Sequence, residues 1–304
     1  VLSYMLNLTV KKKFGGKVSA EEIGLDVIDQ IAKEPDLGIT INGPRLHEYF
    51  RELSKETFQK GDLITVGEAW GADIERAKLY SNPDGSEFSM VFQFEHIGLD
   101  QEEGKEKWDV VPLPFLKLKE VMSHWQRELH NCGWNSLFWN NHDLPRIVSR
   151  WGNDKEYRVE SAKMLAILLH GMQGTPYIYQ GEELGMTNVR YDIEDYRDVE
   201  IHNMYKARIE AGYDKEDVMS SIYAKGRDNA RTPMQWDDSE NAGFTDGTPW
   251  IKVNDNYKEI NAKSQVDDEN SIFNCYRQLI KFRKEYPVFV DGDFTLLISS
   301  LAIF

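Results

Sequence analysis

The chain is poor in cysteine: its 304 residues include two, Cys132 and Cys275, which lie far apart and outside any metal-ligand spacing. So low a cysteine content argues against a disulfide scaffold and is typical of a reducing compartment, so we expect a cytoplasmic location. Long apolar runs are also lacking, since none approaches the roughly 20 residues that a membrane-spanning helix needs. The apolar residues 1–6 have no basic region before them and no small-residue cleavage site after them, so a signal peptide is not expected.

Positive charge is scarce as well. Lys and Arg number 36 against 51 Asp and Glu, which gives a formal net charge of −15. Such a chain repels phosphate backbones and anionic lipid head groups, and the basic run at residues 11–13 is too short to reverse that repulsion. We therefore expect neither a nucleic acid nor a membrane as a partner.

Aromatic residues, in contrast, are common. They make up 12% of the chain, with eight Trp and fourteen Tyr. Flat aromatic rings stack against sugar rings, so this content is compatible with carbohydrate binding, although packing in a hydrophobic core explains most of it.

Short runs of β-branched or aromatic residues alternate with helical patterns along the chain. This alternation is typical of βαβ units and predicts an α/β fold with a parallel sheet. Five such runs end in acids or amides: residues 23–28, 63–66, 88–94, 136–139 and 177–179. In a (β/α)8 TIM barrel the active site lies at the end where the strands finish. About five such runs are present, and not the eight of a complete barrel.

Helical patterns occupy the stretches between and after these strands. They predict helices over residues 44–60, 115–131, 157–172 and 271–285. The third pattern is apolar nearly all round, which predicts a well-buried helix. Between residues 185 and 262 the alternation breaks, and the sequence becomes charged and rich in turns. We expect a long loop over the active-site face there, with a short helix near residues 215–225.

Glu68 is the best candidate for a catalytic acid. It directly follows an apolar strand run, and Gly67 before it lets a ligand approach the backbone closely. An apolar wall from Trp70 would raise the pKa of this carboxyl group, as a general acid at neutral pH requires. A surface Glu that begins a helix is an equally good interpretation of the spacing alone.

Two further carboxylates accompany predicted strands. Asp143 follows an amide, an amide and an imidazole at residues 140–142, a polar run that is costly to bury unless a polar ligand satisfies it. The alternative is that Asp143 caps a helix. Asp26 lies inside an apolar run, so it is either directed into a functional pocket or badly placed. Hydrolysis of a glycosidic bond needs two carboxyl groups that flank the anomeric carbon, which these residues could supply.

The segments that carry these three acids resemble, in the same order, the α-amylase family of glycoside hydrolases. They are residues 24–29 (GLDVID), 66–71 (VGEAWG) and 139–146 (WNNHDLPR). The resemblance extends to the subgroup of oligo-1,6-glucosidases and dextran glucosidases, which are glucan 1,6-α-glucosidases. It does so through residues 88–96 (FSMVFQFEH), 174–183 (GTPYIYQGEE) and 226–237 (GRDNARTPMQWD). The resemblance implies a (β/α)8 barrel of which this chain contains about strands 4 to 8 with their helices.

The same resemblance implies a role for each acid. Asp26 matches the nucleophile, which would form a covalent β-glucosyl-enzyme, and Glu68 matches the acid/base. Asp143 matches the third carboxylate, which holds sugar hydroxyl groups and stabilises the transition state. A nucleophile and an acid/base about 5–5.5 Å apart imply a retaining mechanism.

The resemblance also implies substrate-binding residues. His142 matches an imidazole of the −1 subsite, and Arg227 matches a guanidinium that fixes the non-reducing-end glucose and favours exo action. Trp70 and Lys107 match residues of the +1 subsite. Val27, directly after the nucleophile, matches the residue type associated with α-1,6 linkages.

The function that follows is that of a retaining, exo-acting α-glucosidase that hydrolyses α-1,6 bonds at the non-reducing end of isomalto-oligosaccharides or dextran. One alternative is a trehalose-6-phosphate hydrolase, which would need extra cationic contacts for a phosphate, and Lys105 and Lys107 are the one visible pair. A second alternative is a catalytically silent remnant that binds glycans. An oligosaccharide is therefore the expected partner.

One departure from the family pattern concerns the nucleophile. The family has an Arg two residues before it, and this chain has Gly24 there. Such an Arg keeps a neighbouring carboxylate ionised, so its loss should raise the pKa of Asp26 and loosen its orientation. We therefore expect impaired activity.

Other departures lie at the ends of the chain. The domain organisation predicted here is a divergent segment at residues 1–22, a partial barrel at 23–290 and the start of a C-terminal β-domain at 291–304. The N-terminal strands of the family are not recognised, and with them goes the loop that binds calcium in relatives, so no metal or other cofactor is expected. Open edges of a partial barrel expose apolar surface, which predicts possible self-association.

Overall fold

Five short parallel strands form the centre of the protein, whose computed structural model describes residues 22–61 and 63–297. The strands are β1 (Glu22–Leu25), β2 (Ile64–Glu68), β3 (Met90–Phe92), β4 (Ser136–Leu137) and β5 (Thr175–Pro176). β1 pairs with β2, β2 with β3, and β4 with β5, in parallel in each case. A parallel bridge between Val91 and Asn135 joins β3 to the start of β4. The strand order therefore follows the chain order, as expected for consecutive β/α units, and the α/β class is confirmed.

Helices fill the connections and continue after the last strand. The α-helices are α1 (Leu46–Glu56), α2 (Ile74–Tyr80), α3 (Phe115–Leu129), α4 (Ile147–Trp151), α5 (Arg158–His170), α6 (Val199–Glu210), α7 (Lys215–Lys225), α8 (Asp228–Arg231), α9 (Ala262–Gln265), α10 (Ile272–Glu285) and α11 (Val288–Asp291). Short 3₁₀ helices span Ile28–Gln30, Pro35–Leu37, Phe58–Lys60, Ile97–Asp100, Glu182–Leu184, Ile193–Asp195, Glu240–Gly243 and Asp255–Lys258.

The largest hydrophobic cluster fixes the outer side of strand β2. Helix α1 contributes Leu46, Phe50 and Leu53, which share one face because they are spaced by four and three residues. Each of these side chains is almost fully buried, which stabilises the fold by roughly 1.5–3 kcal/mol per residue. The cluster continues to Tyr80 of α2 and Trp125 of α3. This packing holds the strand that ends in the candidate acid.

The first strand is shorter than predicted. It ends at Leu25, so Asp26 stands at the strand end and not inside an apolar strand. Val27 adopts a left-handed backbone conformation with φ of 45°, and a 3₁₀ turn follows over Ile28–Gln30. The apolar run continues beyond the strand because Ile28 is fully buried in the cluster under β2. Burial of a turn residue and burial of a strand residue look alike in the sequence.

Two helix predictions need correction. Helix α5 forms as predicted, but Met164 is 48% and Ile167 is 55% exposed in the described structure, so the helix is not buried all round. Its other side packs through Ala162 and Ala166 against α10. Within residues 185–262 the predicted helix α7 is present, and α6 is an additional helix that the loop prediction missed.

The domain boundaries predicted from the sequence stay predictions. Residues 1–21, which make up nearly all of the divergent first segment, lie outside the described residues, as do residues 298–304 of the last segment. Within the described ranges, no helix is both long and apolar enough to cross a membrane.

Candidate active site

Three carboxyl groups are delivered to one edge by the ends of parallel strands. Asp26 follows β1, Glu68 is the last residue of β2, and Asp143 lies in the turn after β4. Burial raises the pKa of Glu68, and the negative charges of Asp26 and Asp143 raise it further. The structure therefore brings all three predicted acids into electrostatic contact around Glu68.

Glu68 is also contacted by the predicted aromatic wall. The indole Nε1 of Trp70 donates a hydrogen bond of 2.8 Å to Oε1 of Glu68. Its ring stacks on Phe94 with a centroid distance of 3.9 Å and an interplanar angle of 13°. The hydrogen bond lowers the pKa of Glu68, but burial outweighs it, so the net shift is upward. Trp70 thus orients the carboxyl group, and its hydrogen bond acts against the rise in pKa that was expected from an apolar wall.

Asp143 is held between two arginines. Arg227 donates to its Oδ1 across 3.3 Å, and Arg231 donates to the same oxygen across 2.7 Å. The side chain of Asn141 accepts from the backbone N–H of Asp143, and Arg231 also donates to the carbonyl of His142. His142 Nε2 lies 3.4 Å from the other carboxylate oxygen, Oδ2. The second oxygen of Asp143 is therefore less heavily bonded than the first.

Arg231 was not predicted from the sequence. The signal was its place in the same motif as Arg227, four residues later. Helix α8 brings the two guanidinium groups onto one side because residues four apart lie one turn apart.

Arg227 has its own acidic partners, which the sequence also did not reveal. Asp198 binds it through two hydrogen bonds of 2.7 Å, and Glu200 lies 3.3 Å from its Nε. Burial of the Asp198 carboxyl raises its pKa, but the hydrogen bond and charge of Arg227 outweigh this and hold the pKa below its usual range. Glu200 also accepts from Lys107 across 2.6 Å. Lys107 and Arg227 are therefore linked through one carboxylate.

Two cavities flank these groups. The first, of about 290 Å³, is lined by Asp26, Glu68 and His142 and by several rings: Phe92, Phe94, Phe138, Tyr177 and Tyr179. The second, of about 250 Å³, is lined by Trp70, Lys107, Asp143 and Arg227, among others. Seven of the eight predicted site residues thus line one cavity or the other. Val27, although next to Asp26, lines neither of these two.

Gly24 lines the first cavity beside Asp26. A Cβ atom built on it would have no heavy atom of the described residues within 4 Å. The position therefore has room for a longer side chain at the edge of the site.

The part of the chain that the structure describes contains no candidate metal site. Residues 22–61 and 63–297 contain no group of three or more His, Cys, Asp or Glu side chains that could hold an ion. The expectation that no cofactor is needed stays a prediction.

The fold and the site together define a class: an α/β protein with a carboxylate-based site of the kind that hydrolyses glycosidic bonds. The chain belongs to the α-amylase family of glycoside hydrolases, since the family model for the alpha amylase catalytic domain matches residues 19–292.

Individual proteins that are similar to this chain are 1,6-glucosidases and a trehalose-6-phosphate hydrolase. The chain is 55% identical over 292 residues to an oligo-1,6-glucosidase of Parageobacillus thermoglucosidasius, covering 90% of this chain and 52% of the relative. It is 52% identical over 303 residues to a glucan 1,6-alpha-glucosidase of Streptococcus pneumoniae, covering 99% and 56%. The crystal structure of trehalose-6-phosphate hydrolase from Bacillus licheniformis is similar with a TM-score of 0.91 and 46% identity, covering 98% of this chain and 55% of that chain. The chain thus spans about half the length of the relatives it matches.

Proposed function

We propose that this chain carries the catalytic residues of a retaining, exo-acting α-glucosidase that cleaves α-1,6 bonds at the non-reducing end of isomalto-oligosaccharides or dextran. The observation that carries the proposal is the environment of Glu68. Burial and the neighbouring charges of Asp26 and Asp143 raise its pKa, as a proton donor at neutral pH requires. The similarity of the chain to an oligo-1,6-glucosidase and to a glucan 1,6-alpha-glucosidase also supports the proposal.

In this proposal the reaction has two steps. Asp26 attacks the anomeric carbon while Glu68 gives its proton to the leaving glycosidic oxygen, so the bond breaks and a covalent glucosyl-enzyme forms. Glu68, now ionised, takes a proton from a water molecule, which attacks the same carbon and releases Asp26. Two inversions at one carbon give retention of the anomeric configuration.

Substrate binding is assigned to the groups around Asp143. One carboxylate oxygen of Asp143 already accepts from Arg227 and Arg231, which leaves the other for a sugar hydroxyl group beside His142. A substrate whose sugar chain continues beyond this glucose could not make these charge-assisted contacts. The contacts therefore favour exo action. Trp70 and Lys107 would contact the second sugar, and Val27 would influence linkage choice through Asp26.

The wider architecture is part of the same proposal. We assign the five β/α units to strands 4 to 8 of a (β/α)8 barrel, in a cytoplasmic enzyme without a metal or other cofactor. The exposed apolar side chains Met164 and Ile167 favour self-association of the isolated chain. Light scattering of the purified chain measures this, and a monodisperse monomer of 35.3 kDa would contradict it.

A trehalose-6-phosphate hydrolase is the second candidate, favoured by the similar crystal structure and by four cations around the second cavity: Lys107, Arg150, Lys225 and Arg227. Each of them already has a carboxylate partner, Glu200 for the first, Asp100 for the next two, and Asp198 for the last. Paired cations offer less to a phosphate than free ones, so we favour the neutral substrate.

The test is hydrolysis of isomaltose, trehalose 6-phosphate and p-nitrophenyl α-glucoside by the purified chain. We expect turnover of isomaltose and of the aryl glucoside, and a loss of at least about a thousandfold in Glu68→Gln and Asp26→Asn. Preference for trehalose 6-phosphate would establish the second candidate. Stabilisation by glucose without any turnover would instead establish the silent glycan-binding remnant.

A further inference from the structure

A buried carboxyl group lies directly behind the active-site turn and has no role in the reaction as proposed. Glu182, at the start of the 3₁₀ turn after β5, is 4% exposed. Its Oε2 accepts a hydrogen bond of 2.7 Å from Nδ2 of Asn140, and its Oε1 accepts one of 2.7 Å from the hydroxyl of Tyr276. The carboxylate thus ties helix α10 to the segment that follows β4.

Asn140 connects this carboxyl group to the site. It is three residues before Asp143 and lines the first cavity together with Asp26 and Glu68. Its Oδ1 is buried and has no hydrogen-bond partner among the described residues. The amide therefore has a satisfied donor side and an unsatisfied acceptor side, which is costly, and a rotation of the amide towards a protonated Glu182 would pair the oxygen.

The groups around Glu182 set how readily it takes up a proton. Burial raises its pKa, and the charge of Glu183 raises it further, while Tyr276, Asn140 and the Arg146 guanidinium lower it, so that the resulting pKa is about 7. The ring of His170 contacts Tyr276 edge-on at 5.4 Å, and burial lowers the pKa of that imidazole. A neutral His170 adds no positive charge that would hold Glu182 ionised.

We propose that Glu182 is a positioning residue that sets the orientation of the Asn140 amide, and thereby the hydrogen bonding of the segment that carries Asp143 into the sugar site. With Glu182 ionised, Nδ2 of Asn140 donates to it. When Oε2 takes a proton from solvent, the new O–H requires an acceptor, and the unpartnered Oδ1 of Asn140 supplies it once the amide turns over. This inference rests on the proposed function, because it concerns the same sugar site.

The consequence is a dependence of activity on pH that does not come from the reacting carboxyl groups. The orientation described for ionised Glu182 is present at high pH and is lost as the pH falls through about 7. Tyr276→Phe removes a donor that lowers the pKa of Glu182, so the acidic limb of kcat/KM should move to higher pH by about one unit. Glu183→Gln removes a neighbouring charge that raises this pKa, so the limb should move to lower pH.

Glu182→Gln gives the decisive comparison. Its side-chain amide does not titrate and can pair with either orientation of the Asn140 amide, so the change of kcat/KM near pH 7 should be absent in this variant. A merely structural role would lower activity evenly and would not give opposite shifts in Tyr276→Phe and Glu183→Gln. Unchanged limbs in those two variants would overturn the proposal.

Glucose binding separates this inference from the proposed function, because it needs no turnover. Thermal stabilisation by glucose is measured at pH 6 and pH 8 in the wild type, Tyr276→Phe and Glu182→Gln. We expect the wild type to respond to pH and Glu182→Gln not to respond. If the chain shows no turnover but still shows this difference in glucose binding, the positioning role is supported and the proposed function is contradicted. Equal pH dependence in all three proteins overturns the positioning role, whether or not the chain is active.

Discussion

The indole N–H of Trp70 donates to the carboxyl group of Glu68 across 2.8 Å. This contact stabilises the ionised form of the acid, whereas burial stabilises the protonated form, and the upward net shift of the Glu68 pKa shows that burial wins. Trp70 therefore restrains the pKa of the proposed proton donor.

Replacing Trp70 by Phe tests this balance. The ring and its stacking on Phe94 can be retained, while the donor is lost, so the pKa of Glu68 should rise further. Because the first step needs Glu68 protonated, the basic limb of the kcat/KM profile should move to higher pH. Trp70→Ala is the control, since it also admits water to Glu68. A basic limb in Trp70→Phe that stays in place or moves to lower pH would show that the hydrogen bond does not set this pKa.

Gly24→Arg should restore part of the activity that we expect the chain to lack. A guanidinium beside Asp26 favours the ionised nucleophile and fixes its orientation, and the open space at Gly24 can accommodate the new side chain. We expect kcat with p-nitrophenyl α-glucoside to rise by roughly tenfold to a hundredfold. Gly24→Gln adds a long polar side chain without the charge and should give little gain. The same rise in both variants, or none in either, would contradict the argument from charge.

The strand-end acids were predictable from the sequence for a simple reason. Parallel strands finish at one edge, so an acid after each of several strands must share that edge, and Asp26, Glu68 and Asp143 do. Their partners were not predictable in this way. Arg231, the last residue of α8, reaches Asp143 from 88 positions away, and no periodic pattern encodes such a contact.

Helix α6 was missed for a related reason. Its sequence is highly charged, and it buries only Ile201 and Met204 within the helix itself. They pack into a cluster with Trp108 and Val218 that forms only after distant segments meet. The local signal was Asp198, whose side chain caps the helix by accepting from a backbone N–H, and a single capping residue is a weak predictor.

The substitution Asp198→Asn tests the negative charge of Asp198 separately from its role as the cap of helix α6. Asn caps helices about as well as Asp, so α6 should be retained, but the charge that fixes Arg227 through two hydrogen bonds is lost. We expect KM for p-nitrophenyl α-glucoside to rise about tenfold with a smaller change in kcat, because Arg227 is assigned to binding.

The matched control is Asp214→Asn. Asp214 caps α7 by the same kind of contact, accepting from the backbone of Glu216, and it makes no contact with Arg227. Its variant should keep the wild-type KM. Equal effects of the two substitutions would assign the result to helix capping, and not to the orientation of Arg227.

The stability of the region behind the second cavity should depend on Asp100. This buried carboxylate accepts from Arg150 across 2.6 and 2.7 Å and from Lys225 across 2.6 Å. Burial raises its pKa, but the two cations outweigh burial and lower the pKa to about 2. Asp100→Asn leaves both cations without a counter-charge, so we expect the free energy of unfolding at pH 6 to fall by about 3–5 kcal/mol.

The stabilising effect of Asp100 should depend on pH in a definite direction. The pKa of Asp100 is lower in the folded protein than the value of about 3.9 in an unfolded chain, so its stabilising effect is complete above pH 4 and disappears as the pH falls towards 2. The difference between the wild type and Asp100→Asn, measured by urea unfolding, should shrink over that interval. Lys225→Met is the comparison, because it leaves Asp100 and Arg150 as a balanced pair and should lose only about 1–2 kcal/mol. If Lys225→Met were the more damaging of the two, the cluster would depend on the packing of the lysine stem and not on the buried charge of Asp100.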